Sequence, residues 1–157
     1  LIQEDTREAL IKELIPLALV VTPNIPEAEV LAGMPVADPD AMREAAAIIH
    51  DLGARHVVVK GGHLKGAALD ILYDGQRFHE FIAERIDTRD THGTGCTFSA
   101  AIATGLAKGQ AVAEAVAGAK QYVEKAIRYA YRIGGGHGPT NHLAPVCPDR
   151  MKEGVPT

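Results

Sequence analysis

The chain has no tryptophan and few aromatic residues of any kind, 4% of its 157 residues, and it carries no basic stripe among its 16 Lys and Arg. With few aromatic rings to stack on bases and no positive track for a phosphate backbone, a nucleic-acid partner is not expected. Two cysteines, Cys96 and Cys147, stand far apart with no C-x-x-C pairing, so neither a disulfide framework nor a zinc ribbon is indicated, and a reducing cytoplasm is the expected location. A zinc site drawn from His63, His92, His137, His142 and the cysteines fails on spacing. Long hydrophobic runs are missing too, none approaching the roughly 18 residues that a membrane span needs. Low-complexity tracts and repeats are also absent. What remains is the composition of a folded protein, 46% hydrophobic and 23% charged with a formal net charge of −4.

Along the chain, Leu10, Ile11 and Leu14 mark the apolar side of a short first helix that Pro16 ends. "LALVVT" is an unbroken apolar run of strand length, expected to be covered on both faces. In "PNIPEAEVLAG", Pro26 suits a first helical turn and Gly33 a helix end. Asp38-Pro39 opens another helix, with Met42, Ala45, Ala46, Ile49 and Leu52 at helical spacing, and the strand "RHVVVK" follows. Strand, helix, strand is the rhythm of a parallel α/β sheet. Asp74-Gly75 then separates "AALDILY" from "QRFHEFIA" as a hairpin turn. Two Ala- and Gly-rich helices follow, one with Phe98, Ala101, Ile102, Gly105 and Leu106 inward, the other from about Ala111 to Ile133. "GGGHGPTNHLAPVCP" is loop chemistry.

Three places carry chemistry. In "DTHGTGCTFSAAIATG", Gly93, Thr94 and Gly95 run into a helix start, where backbone N–H groups lack intrahelical acceptors and attract anions. Cys96 at that point is a candidate base or nucleophile, since a helix N-terminus favours thiolate; the plainer alternative is a small buried Cys in a glycine-rich helix entry. Lys60, Gly61, Gly62 and His63 leave the C-terminal end of a buried strand, where open α/β sheets bind ligands, and Lys60 can hold a phosphate as a point charge. An ordinary strand-exit turn would look the same. Asn24 and Glu27 follow the other buried strand and could orient waters around Mg²⁺, or merely start a helix. No Walker or dinucleotide glycine motif is present.

Four segments, "TPNIPEAEVLAG", "VVVKGGHLKG", "DTHGTGCTFSAAIATGLAKG" and "GGGHGPTNH", resemble in order and spacing the hydroxymethylpyrimidine phosphate kinases of thiamine biosynthesis, in the ribokinase superfamily. Most ribokinase relatives have Asp where Cys96 stands. The resemblance implies a ribokinase-like three-layer αβα sandwich with a mostly parallel central sheet, lacking its N-terminal part, so that residues 1–157 would be the C-terminal, nucleotide-binding portion of a single domain. It implies ATP and Mg²⁺ as cofactors. Gly93, Thr94, Gly95 and Cys96 would form the catalytic anion hole with Cys96 as base. Lys60, Gly61, Gly62, His63, Leu64 and Thr97 would line the ATP site, and Asn24 and Glu27 would act on Mg²⁺. The substrate would be an aminopyrimidine alcohol or its phosphate. A pyridoxal kinase of the same Cys-containing subgroup and a non-catalytic nucleotide-binding remnant are the alternatives. Apolar strands short of cover lead to the expectation of a homo-oligomer, or of association with an N-terminal segment.

Overall fold

The computed structural model describes residues 4–62, 66, 68–131, 133 and 135–144. The chain divides into two compact units between Ile82 and Ala83.

The first unit begins with α1 (Glu4–Ala9), which widens into a π-helical turn at Leu10–Leu14 and tightens into a 3-10 turn at Ile15–Leu17. Pro16 sits inside that last turn, where its missing N–H ends the helical ladder. The residues after it run beside a later strand and lead into α2 (Ile25–Ala32), which Gly33 closes at φ 69°. α3 (Pro39–Asp51) is capped by the Asp38 carboxylate accepting from Ala41 N at 2.9 Å. Met42, Ala45, Ala46 and Ile49 of α3 are fully buried, on the side that the helical spacing marks as apolar.

β1 (Val57–Lys60), β2 (Ala68–Tyr73) and β3 (Phe78–Ala83) form a three-stranded sheet in the order β1-β2-β3. β1 and β2 pair antiparallel, with Val58 opposite Leu72 and Lys60 opposite Asp70. All three β1 valines are fully buried, so both faces of that strand are covered. The β2–β3 turn is the one marked by Asp74-Gly75: Gly75 has φ 89°, and Asp74 Oδ1 accepts from Gln76 N and Arg77 N at 2.8 and 2.7 Å.

The sheet corrects one expectation. It is small and antiparallel, and among the described residues of this unit parallel pairing is confined to the isolated bridges Val21 with Val57 and Asn24 with Lys60. The hydrogen bonds of a parallel ladder are present: Val21 N to His56 O at 3.0 Å, Val58 N to Val21 O at 2.8 Å and Lys60 N to Pro23 O at 2.9 Å. Pro23 interrupts the ladder, because it can accept but has no N–H to return. Nor is "LALVVT" covered throughout, since Leu17 is 83% exposed and Leu19 42%.

The second unit packs α4 (Thr94–Ala107) against α5 (Val112–Arg128), a shorter helix than the spacing predicts. Phe98 and Ile102 of α4 and the stripe Ala115, Val116, Ala119, Val123 and Ala126 of α5 are all buried. The small residues permit close approach: a Cβ on Gly105 would lie 2.8 Å from Ala115 Cβ.

Candidate active site

In the first unit the bridge between Asn24 and Lys60 sets the start of α2 beside the end of β1. Three residues singled out from the sequence thereby come together. Asn24 is the N-cap of α2, and its Oδ1 accepts from Glu27 N at 2.9 Å while Glu27 Oε2 accepts from Asn24 N at 2.7 Å. This is a complete capping box, so the helix-start role is occupied. Glu27 is exposed, and its other carboxylate oxygen has no protein partner among the described residues. One exposed carboxylate fits Mg²⁺ held largely through waters, and does not make an all-protein cage.

Lys60 ends β1 half-buried, and its ammonium makes no ion pair among the described residues. Gly61 next to it is buried because β2 passes directly over it: a Cβ there would lie 2.2 Å from Leu69 O. Its N–H donates both to Leu69 O at 2.8 Å and to Asp70 Oδ1 at 3.1 Å. Gly62 is exposed, with open space where a Cβ would project. The two glycines of one motif therefore do different things. Gly61 locks the strand exit, and at Gly62 a side chain would meet none of the described residues. His63 and Leu64 lie outside the described residues.

In the second unit, Gly93 starts α4 in the left-handed region at φ 85°, which favours glycine, and supplies no side-chain cap. Thr94 N donates to Thr91 O at 3.2 Å and Thr97 N to Gly93 O at 2.9 Å. Between them, the N–H groups of Gly95 and Cys96 have no acceptor among the described residues. Two adjacent open donors stand at the positive end of a 14-residue helix, an arrangement that favours negative charge. Cys96 is exposed and unbonded to another cysteine, which removes the buried-thiol alternative. Thr97 is buried, and its hydroxyl donates back to Gly93 O at 2.8 Å, so toward any ligand it can act only as an acceptor.

Two carboxylates escaped the sequence reading. Asp70 and Asp90 are 5% and 7% exposed, and each holds the N–H of a glycine distant in sequence, Gly61 and Gly138 at 3.1 and 3.0 Å. An aspartate within an apolar strand, and another ahead of a glycine turn, are the signals that could have marked them: burial of a carboxylate requires such partners.

A family model for phosphomethylpyrimidine kinase matches residues 1–141. The chain is 54% identical over 144 residues to the thiamine biosynthesis bifunctional protein ThiED of Geobacter sulfurreducens, a match covering 91% of this chain and 29% of that protein. It is 52% identical over 148 residues to the hydroxymethylpyrimidine/phosphomethylpyrimidine kinase of Rhizobium meliloti, covering 91% of this chain and 55% of the relative. Among solved structures, the pyridoxal kinase from Staphylococcus aureus in complex with AMP-PCP and pyridoxal matches with a TM-score of 0.90 at 40% identity, over 93% of this chain and 56% of that one. The chain thus spans about half the length of the single-function kinases it matches.

Proposed function

Because the chain belongs to the phosphomethylpyrimidine kinase family, we propose that its two glycine turns serve ATP-dependent phosphorylation of hydroxymethylpyrimidine and of its monophosphate. The observation that carries this reading is the family match over residues 1–141, a span that includes Asn24, Lys60 and the Gly93–Cys96 turn. The open N–H groups of Gly95 and Cys96 supply what phosphoryl transfer needs most, fixed donors for charge on a phosphoryl oxygen. Cys96, exposed at the same turn, takes the acceptor's proton in its thiolate form. The acceptor oxygen bonds to the γ-phosphorus, the bond from that phosphorus to ADP breaks, and the proton ends on sulfur. A loose transition state asks little of the base. Lys60 offers a point charge to a phosphate, and Gly62, with no side chain above it, lets the backbone approach one. Asn24 and Glu27 are the residues that would hold Mg²⁺ through waters, and the ion would offset phosphate charge. The ribokinase-like three-layer fold of the full kinase is part of the same proposal, supported by the likeness to the pyridoxal kinase.

A second reading, pyridoxal as acceptor, is favoured by one observation: the matching Staphylococcus aureus kinase was solved with pyridoxal bound. Supplying the chain with Mg-ATP and each acceptor in turn, and following ADP release and product mass, separates the two. Phosphorylated pyrimidine supports the proposal, and phosphorylated pyridoxal alone transfers it to the second reading. Nucleotide binding without ADP release would overturn both and leave a non-catalytic nucleotide-binding module.

A further inference from the structure

The segment "GGGHGPTNH", Gly134 to His142, bears no role in the reading above, although His137, Gly138 and Thr140 are held closely to the segment that leads into the Cys96 turn. His137 Nδ1 lies 3.0 Å from Arg89 O, Gly138 N donates to Asp90 Oδ1 at 3.0 Å, His92 N donates to Gly138 O at 3.1 Å, and Thr140 N donates to His92 O at 3.3 Å. His92 and Pro139 pair as a parallel bridge. Asp90 is the buried charged group of this contact, at 7% exposure. Its second oxygen accepts from Thr88 Oγ1 at 3.4 Å, and Thr88 Oγ1 in turn accepts from Asp90 N at 3.1 Å.

The seat tolerates only glycine. A Cβ on Gly138 would lie 2.3 Å from Asp90 Oδ1 and 2.6 Å from Tyr131 O. Beyond it the loop is pinned to α5, with Asn141 N donating to Ala126 O at 2.9 Å and the Tyr122 hydroxyl donating to His142 O at 2.8 Å. The loop after α5 and the segment before α4 are thus tied by backbone bonds at His92 and by one buried side chain, the Asp90 carboxylate on the Gly138 amide. Asp90 stands only three residues before Gly93, the residue that turns the chain into α4.

We propose that Asp90 is a positioning residue: by clamping Gly138 it fixes the direction in which the chain enters the Gly93 turn, and so the aim of the Gly95 and Cys96 N–H groups and of the Cys96 thiol. This rests on the reading of that turn as the reacting site. A carboxylate suits the task because a charge-assisted bond to an amide is stronger and more directional than a neutral one, and its burial keeps water from competing.

The test reads the thiol itself. In the full chain with Cys147→Ser, so that Cys96 is the cysteine observed, the rate of iodoacetamide alkylation is followed across pH, with thermal melting alongside. Asp90→Ala and Gly138→Ala should each displace the Cys96 alkylation profile in the folded protein, and the double variant should be no worse than the more severe single one, because both remove the same bond. Asp90→Asn keeps an acceptor without the charge, and Thr88→Val loosens the carboxylate from its other side. These two gentler variants should shift the profile less, and they carry the test if the alanine variants do not fold. In an active chain the same changes should lower kcat with little change in KM for ATP, by up to about a hundredfold where a reacting group is misplaced by 1 Å. Lower melting temperatures with an unmoved Cys96 profile would overturn the proposal and leave Asp90 a stabilising residue only. Alkylation needs neither ATP nor substrate, so a failure of the kinase reading would show separately, as a wild-type chain without turnover.

Discussion

Asn24 and Glu27 bind each other's backbone: the Asn24 side chain accepts from Glu27 N at 2.9 Å, and the Glu27 side chain accepts from Asn24 N at 2.7 Å. The pair that the sequence offers as a metal element is therefore also the lock on α2, and one substitution separates the two duties. Glu27→Gln keeps an oxygen for the Asn24 amide, as the capping box allows, but removes the charge. Its stability should fall by no more than about 0.5 kcal/mol, while Mg²⁺-dependent ATP use weakens. Glu27→Ala should lose both. Urea unfolding with and without Mg-ATP measures the difference. Equal protection of wild type and Glu27→Gln by Mg-ATP would confine Glu27 to the cap.

Gly61 and Gly62 make the second comparison. An added methyl at Gly61 would meet Leu69 O at 2.2 Å, and backbone on a paired strand cannot move aside cheaply. Gly61→Ala should cost on the order of 3 kcal/mol, the upper range for overpacking. The methyl of Gly62→Ala meets nothing within 4 Å among the described residues, so its stability should stay within about 0.5 kcal/mol of wild type. Any loss of nucleotide affinity in Gly62→Ala then reflects blocked approach of a phosphate. Denaturation midpoints and ATP titration of the two variants check both statements, and equal destabilisation would contradict the packing argument.

Cys96 is exposed, so Cys96→Ala should leave the melting temperature nearly unchanged. Turnover should drop by about 10²–10⁴, the usual loss when a general base is removed. Cys96→Asp places a carboxylate where the proposed base stands, and should recover part of that loss. Cys96→Ser, a far weaker base, should not. Full turnover in Cys96→Ala would reduce the thiol to a bystander of the Gly93 turn.

The helices were legible because each signal is local. The Asp38 cap, the Gly33 stop and the spacing of Met42, Ala45, Ala46 and Ile49 act within a turn or two, and the structure uses all of them. Pairing is not local. "LALVVT" carries the composition of a doubly covered parallel strand, yet Pro23 breaks its ladder and Leu17 stands exposed, so only two bridges form. The Gly93 turn was readable as a glycine pattern before a helix. The carboxylates that hold the glycines, Asp70 for Gly61 and Asp90 for Gly138, were not, because what identifies them is burial and a partner 9 or 48 residues away.

The hairpin between β2 and β3 should mark the acid limb of stability. His79, then the N–H groups of Arg77 and Gln76, hold the Asp74 carboxyl well below the usual carboxylate range. His79 Nε2 lies 3.0 Å from Asp74 Oδ2, while Gln76 N and Arg77 N donate to Oδ1 at 2.8 and 2.7 Å. A carboxyl depressed in the folded state contributes stability that is complete above its unfolded value, about 3.9, and drains away as pH falls below that toward the folded value. The side chain is 29% exposed, so solvent screening keeps the contribution modest. Asp74→Asn retains an oxygen for the turn amides but does not titrate. Its urea midpoint should therefore lie below that of wild type at neutral pH and approach it between about pH 4 and pH 2. Parallel acid limbs for the two proteins would show that Asp74 is paired no more strongly in the folded chain than in the unfolded one.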